Sequence, residues 1–118
     1  NGTIILKIFL NLSKDEQKNR FMDRIDDPAK QWKFSFADLA ERKLWNQYQS
    51  AYQDMIKNTS TKAAPWYVVP ADTQWISRAI VGRLLSETLE SLNLDYPDIS
   101  DEQKAELLKA RLELENEK

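Results

Sequence analysis

Apolar and polar positions divide this chain into runs of two kinds. Ile4-Ile5-Leu6-Lys7-Ile8-Phe9-Leu10 is almost continuously apolar and rich in β-branched residues. A strand with one wet face would alternate, so this run fits a strand buried on both faces, as in a parallel sheet. Trp66-Tyr67-Val68-Val69, bounded by Pro65 and Pro70, repeats the pattern. The remaining periodicity is helical. Ser13-Lys14-Asp15-Glu16 is an S-x-x-E capping box that predicts a helix from about Lys14 to Asp26, stopped by Pro28. Ser35-Phe36-Ala37-Asp38 opens a second helix by the same logic, reaching about Lys57, with Leu39, Trp45, Tyr48, Tyr52, Met55 and Ile56 on one face.

Asp72-Thr73 can cap a third helix carrying Trp75, Ile76, Ala79, Ile80, Leu84, Leu85 and Leu92. Asp95-Tyr96-Pro97-Asp98 reads as a linker. Ser100 then caps a last helix to about Glu117, in a segment from Asp95 onward with eight acidic and four basic residues. Residues 98–118 are thus expected to be an appended acidic helix. The order strand, helix, helix, strand, helix, helix implies parallel pairing and an α/β layer fold. Two strands of the buried type do not make a stable sheet alone, so further strands are expected from another segment or another chain.

Composition narrows the chemistry. Among 118 residues there is no Cys and no His, which excludes disulfides, thiolate metal sites, a cysteine nucleophile and the commonest general base. Net charge is −2, so no global basic field points to nucleic acid. The Ile4–Leu12 run is too short to span a membrane and lacks a signal peptide's basic lead, which makes a cytoplasmic origin the expectation. The start Asn1-Gly2-Thr3, entering an apolar run at once, reads as a cut or processed end. Only two glycines exist, Gly2 and Gly82, so no phosphate-cradling glycine loop can be built from these residues.

The densest charged and aromatic cluster lies between Lys14 and Trp45. Arg20 and Arg24 are four apart and share a helix face. Lys30, Lys33, Arg42 and Lys43 follow, with Trp32 and Phe34 interleaved. Guanidinium forks bind phosphate oxygens bidentately and Lys adds point charge, so two cationic helices joined by an Asp-Pro loop would suit a lid over a polyanion. The same segment holds eight basic and seven acidic residues, and such mixed runs also occur as solvated helix faces with weak ion pairs. Trp66, Trp75, Tyr48 and Tyr52 read as core. Asp72 stands at the end of a strand, where α/β proteins place ligands, or caps the next helix. Arg78 faces either a phosphate tract or solvent. Asp26-Asp27 could hold Mg²⁺ but equally fits loop chemistry beside Pro28, and no catalytic residue is assigned.

Several blocks resemble the family-2 polyphosphate kinases. Gly2 to Gln17 resembles their G-x-x-I-L-K-F-F-L-x-I-S-x-x-E-Q strand and cap. Arg20-Phe21 through Pro28 and Lys30-Gln31-Trp32-Lys33-Phe34-Ser35 resembles the R-F-x-x-R-x-x-x-P-x-K-x-W-K-F-S lid segment, continued by Asp38, Arg42, Trp45, Tyr48 and Ala51-Tyr52. Ala64 to Asp72 is similar to their A-P-W-Y-V-V-P-A-D, followed by Trp75 and Arg78. The resemblance covers roughly residues 2–97. It implies the C-terminal part of a P-loop kinase-like, thymidylate kinase-like three-layer fold with a parallel sheet, helix-rich, with a lid at about 14–58. It further implies phosphoryl transfer between inorganic polyphosphate and a nucleoside mono- or diphosphate, with Mg²⁺. Arg20, Arg24, Lys30, Lys33 and Arg42 would contact phosphates, with Asp72 and Arg78 in support.

The family's Walker A loop and Walker B segment have no counterpart here, so the expected partner is the missing N-terminal half of the same domain, which would hold most of the Mg²⁺ site. A homo-oligomer is expected, with no nucleic acid and no membrane. Gln74 replaces a Lys of many relatives, and Ile8 a Phe. The alternative functions are a non-catalytic polyphosphate- or nucleotide-binding module and a helical interaction module.

Overall fold

The computed structural model describes residues 2–117; Asn1 and Lys118, the outermost positions of the supposed cut end and of the acidic helix, lie outside the described residues. Contacts divide the chain into two units, Asn1–Thr88 and Leu89–Lys118.

In the first unit β1 (Lys7–Asn11) and β2 (Trp66–Pro70) form a parallel pair in which Lys7 faces Trp66 and Asn11 faces Pro70. Between them run α1 (Lys14–Asp26), a 3-10 turn (Gln31–Lys33), α2 (Phe36–Lys43) and α3 (Trp45–Thr59). This is the expected strand–helix–strand crossover. β1 begins at Lys7 rather than at Ile4, because its partner strand begins only at Trp66. Upstream of Trp66, Pro65 has no N–H to offer and residues 61–64 turn back on themselves through the Thr61 N–H to Ala64 carbonyl bond. Ile4 and Ile5 are consequently exposed.

α1 starts where the capping box places it. The Ser13 hydroxyl accepts from the Glu16 N–H at 3.1 Å. Asp27 caps the other end, and its carboxylate accepts from Ala29 N–H as the chain turns past Pro28. The second predicted helix is in fact two. Leu44, at φ −89° and ψ 17°, leaves the α region and separates α2 from α3. Its N–H turns back to the carbonyls of Glu41 and Arg42, while Tyr48 N–H reaches the Leu44 carbonyl, so backbone bonds flank the bend on both sides. Neither Pro nor Gly marks this break. The Tyr48 hydroxyl donates across it to the Glu41 carboxylate.

Burial is sparse. Among the described residues only Val69 and Ala71 form a buried apolar core, and Ser77 on α4 (Gln74–Ser91) is the one buried polar residue. Leu10 and Val68 lie in a parallel sheet yet remain 55% and 51% exposed. Parallel strands are ordinarily covered on both faces, so this sheet has faces and edges unfilled by the chain's own residues. Trp75, expected in the core, is exposed, because the α4 face that carries it meets no second layer. The Lys7 ammonium ties the start of β1 to the Thr59 carbonyl at the end of α3 and lies 5.7 Å from the Trp66 ring. Trp66 Nε1 donates to Thr59 Oγ1 at 2.8 Å.

The second unit contains the end of α4 and α5 (Asp101–Glu115). α4 gives way to the linker at Asn93, whose φ of 47° is a left-handed conformation that asparagine tolerates. α5 has the full reciprocal box: Ser100 Oγ accepts from Gln103 N–H, and the Gln103 side chain accepts from Ser100 N–H. Leu107, Leu108, Leu112 and Leu114 are all exposed. Among the described residues no helix is long and apolar enough to cross a membrane.

Candidate functional site

Parallel strands end together, and their C-terminal ends are where α/β folds gather polar groups. Here β1 runs into Ser13 and β2 into Asp72. The Ser13 N–H donates to Asp72 Oδ1 at 2.7 Å. This bond replaces the second half of the capping box, in which Glu16 was expected to reach back to Ser13. Glu16 instead accepts from Arg20 Nε at 2.9 Å. Arg20 Nη2 then donates to the carbonyls of Ala71 at 2.8 Å and Asp72 at 3.2 Å. The Asp72 carboxyl is held below the usual carboxylate range, first by the Ser13 N–H, then by the Ser13 side chain, with the Arg20 charge a smaller contribution. A small depression of about 280 Å³ lies here, lined by Asn11, Ser13, Pro70, Asp72, Thr73 and Ile76.

A second, larger cleft of about 530 Å³ lies between β1, α1, α2 and α3. Its aromatic wall is Phe9, Phe21, Trp45, Tyr48 and Tyr52; its polar wall is Gln17, Asp38, Glu41, Arg42 and Gln49. Tyr52 stacks obliquely on Phe9 at 5.0 Å and on Tyr48 at 5.9 Å. Arg42 reaches from α2 to the first turn of α1, donating through Nη1 to the Lys14 carbonyl at 2.7 Å and to Gln17 Oε1 at 2.9 Å. Tyr48 and Tyr52, read as core from their helical spacing, thus face a cleft. That spacing marked the correct face but could not say whether a second layer covers it. Gln49, next to Tyr48 on α3, and Gln17, on the first turn of α1, also line the cleft and were not singled out by spacing.

The other cations gather where α1 bends into the 3-10 turn. Phe21 and Phe34 meet edge to face at 5.9 Å, and Phe34 meets Phe36 in the same manner at 5.6 Å, so an aromatic chain holds α1 against the turn and α2. Arg24 lies 5.9 Å from the Phe21 ring. Lys30 pairs with Asp27 at 2.9 Å, and this contact raises the Lys30 pKa and lowers that of Asp27. Both partners are substantially exposed, so the pair is weak and easily exchanged for another anion. Lys33 lies 5.1 Å from the Trp32 ring, and Trp32 itself is 79% exposed, with its Nε1 donating to the Ala29 carbonyl. Gln31 crosses the bend to the Ile25 carbonyl at 2.8 Å.

The structure therefore sorts the sequence candidates. Arg20 and Asp72 meet at the strand ends, Arg42 lies in the large cleft, and Arg24, Lys30 and Lys33 share the bend. Arg78 is exposed on α4 and joins none of these contacts. Among the described residues no three acidic side chains cluster so as to hold a metal ion by themselves, and Asp27 of the Asp26-Asp27 pair is engaged with Lys30.

Residues 1–97 match the family model described as polyphosphate kinase 2. A protein from Leptolyngbya boryana, described only as an uncharacterized protein in the chlN 3' region, is 50% identical over 117 residues, covering 99% of this chain and 86% of its own. The ADP-polyphosphate phosphotransferase of Rhodopseudomonas palustris is 50% identical over 114 residues, which are 97% of this chain but 39% of that one. The crystal structure of polyphosphate kinase 2 from Arthrobacter aurescens superposes with a TM-score of 0.80 at 46% identity, over 92% of this chain and 39% of that chain. Both strands, the helical insertion between them and the strand-end contacts fall within the matched residues, and the chain belongs to the polyphosphate kinase 2 family.

Proposed function

We propose that this chain supplies the lid and two strands of a kinase that moves a phosphoryl group between inorganic polyphosphate and a nucleoside mono- or diphosphate. The observation that carries the reading is that Arg24, Lys30 and Lys33 all lie at the α1 bend, outside the core, Arg24 and Lys33 beside aromatic rings and Lys30 in one exposed ion pair. Phosphoryl transfer asks a protein mainly for positioning and for neutralisation of charge on non-bridging oxygens. Cations on a short, aromatic-braced bend, Lys30 and Lys33 exposed and Arg24 half-buried, meet the second demand, since each can exchange its weak present contact for a phosphate oxygen.

The chain spans about two fifths of the length of the phosphotransferase and the solved kinase just compared. The exposed Leu10 and Val68 support further strands of the same domain lying against β1 and β2. Those segments would bring the groups that grip the polyphosphate chain and the nucleotide. Mg²⁺ belongs with them: when bound it neutralises phosphate charge, and no residue of this chain is assigned to it. The test is a coupled assay of the full-length protein with Mg²⁺, a linear polyphosphate and each of AMP, ADP, GMP and GDP. Nucleotide phosphorylation with loss of polyphosphate is expected. Polyphosphate binding without turnover would leave a binding module, and neither binding nor turnover would end the reading.

A further inference from the structure

The five cations of the lid segment are chemically alike in sequence but not in what they touch. Arg20 and Arg42 spend their guanidinium donors inside the protein. Arg20 joins Glu16 on its own helix to the Ala71 and Asp72 carbonyls at the end of β2. Arg42 joins α2 to the Lys14 carbonyl and the Gln17 side chain in the first turn of α1. Both sets of bonds converge on the N-terminal turns of α1, and the Ser13 amide adds a third through Asp72. The planar fork of Arg can satisfy two or more carbonyls in fixed directions, which a Lys ammonium does poorly. At the opposite end of α1, Arg24 and Lys33 have only ring contacts and Lys30 one exposed ion pair.

We infer that the lid divides its cations by role: Arg20 and Arg42 are positioning residues that bolt the base of α1 to the strand ends and to α2, while Arg24, Lys30 and Lys33 at the tip meet the polyanion. The inference rests on the proposed phosphate chemistry for the tip alone; the bolts stand on their own bonds. They set the angle at which the tip is presented. A misplacement of about 1 Å at a reacting centre is enough to lower turnover about a hundredfold, so loosening the base should be felt in kcat although neither arginine touches substrate.

The experiment compares Arg20→Lys and Arg42→Lys with Lys30→Gln and Lys33→Gln in the full-length protein, using a linear inorganic polyphosphate as probe. Binding of a polyanion by cations weakens with salt, and each lost phosphate contact lowers the slope of log affinity against log salt by just under about one. The tip variants should lower that slope and raise KM for polyphosphate severalfold. The base variants should keep the charge and the slope, lower kcat by about tenfold or more, and speed amide hydrogen exchange in the first turn of α1. Arg20→Gln and Arg42→Gln, which also remove the charge, should leave the slope as it is. A slope reduced by Arg20→Gln as much as by Lys33→Gln, with kcat retained, would overturn the division. Should the unmodified protein neither bind nor turn over polyphosphate, the functional reading fails separately; amide exchange unchanged by Arg20→Lys and Arg42→Lys would then sink the bolts as well.

Discussion

The Ser13 amide and the Asp72 carboxylate, 59 residues apart in the chain, meet at 2.7 Å and join the ends of the two strands. Two separable interactions converge on Ser13. Its hydroxyl caps α1 through Glu16 N–H and also helps hold the Asp72 carboxylate, whereas its backbone N–H serves Asp72 alone. Ser13→Ala should lose the cap and the hydroxyl's share of the contact with Asp72, keep the amide bond, and lower stability by about 1 kcal/mol. Asp72→Ala should lower the melting temperature further than Ser13→Ala, because it leaves the Ser13 amide without its carboxylate and loosens both strand ends. Thermal melts of the two variants, followed by circular dichroism, decide the order; equal melting temperatures would show that the bond between Ser13 and Asp72 adds nothing.

The same carboxylate makes this joint sensitive to acid. The folded pKa of Asp72 lies below its unfolded value, so its contribution is fully present above the ordinary carboxylate range and is lost as pH falls through the lower, folded value. Asp27, lowered by Lys30, acts in the same direction. Stability should therefore be flat from neutrality to about pH 5 and decline below about pH 4. Asp72→Asn should flatten part of that decline. Denaturant midpoints taken across this range provide the check, and an acid limb as steep in Asp72→Asn as in the unmodified protein would exclude Asp72 as a contributor.

How much of this was legible in the sequence depends on which force set each feature. The strands, the crossover and the start of α1 follow from local patterning: β-branched apolar runs, a Ser13 cap and a Pro28 stop act within a few residues of themselves. The break at Leu44 was hidden because no residue there forbids a continuous helix; contacts such as that between Tyr48 and Glu41 span a bend that only the tertiary arrangement selects. The exposure of Trp75 and of the cleft beside Tyr52 was hidden for a related reason, since an apolar helix face states that something should cover it and not whether the cover is at hand. At the site, the types of residue were readable and their partners were not. Arg20 and Arg24 share a helix face, yet one lies within reach of the Ala71 carbonyl and the other beside a phenyl ring. The Glu16 half of the capping box went to Arg20 once Asp72, distant in sequence, took the Ser13 amide.

Val69, 2% exposed at the centre of β2, is the best-buried apolar side chain among the described residues. With so little other buried apolar surface, the truncation Val69→Ala should cost about 2 kcal/mol, combining lost transfer energy with an unfilled cavity. Val68→Ala, on the exposed side of the same strand, should cost much less in this chain alone. If further strands cover that face in the full-length protein, Val68→Ala should there approach the cost of Val69→Ala. Paired denaturant titrations of both variants in the chain and in the full-length protein test the difference.

Tyr48 offers a spectroscopic reading of the α2–α3 bend. Its hydroxyl donates to the Glu41 carboxylate, and that bond, with the negative charge behind it, raises the phenol pKa above the ordinary value of about 10. A raised pKa means that the bond's contribution is complete below the unfolded value and is lost as pH climbs through the folded one. Ultraviolet titration should accordingly show a phase later than that of an ordinary phenol, and Tyr48→Phe should delete that late phase. Glu41→Gln should move it back toward the ordinary range while leaving a neutral acceptor in place. The bend itself should persist in Glu41→Gln if the backbone bonds from Leu44 to Glu41 and Arg42 hold it, and open if the side-chain bridge does. Amide exchange at Leu44 and Tyr48 distinguishes these outcomes, and a titration in which no phase responds to Tyr48→Phe would show that the bridge is not formed in solution.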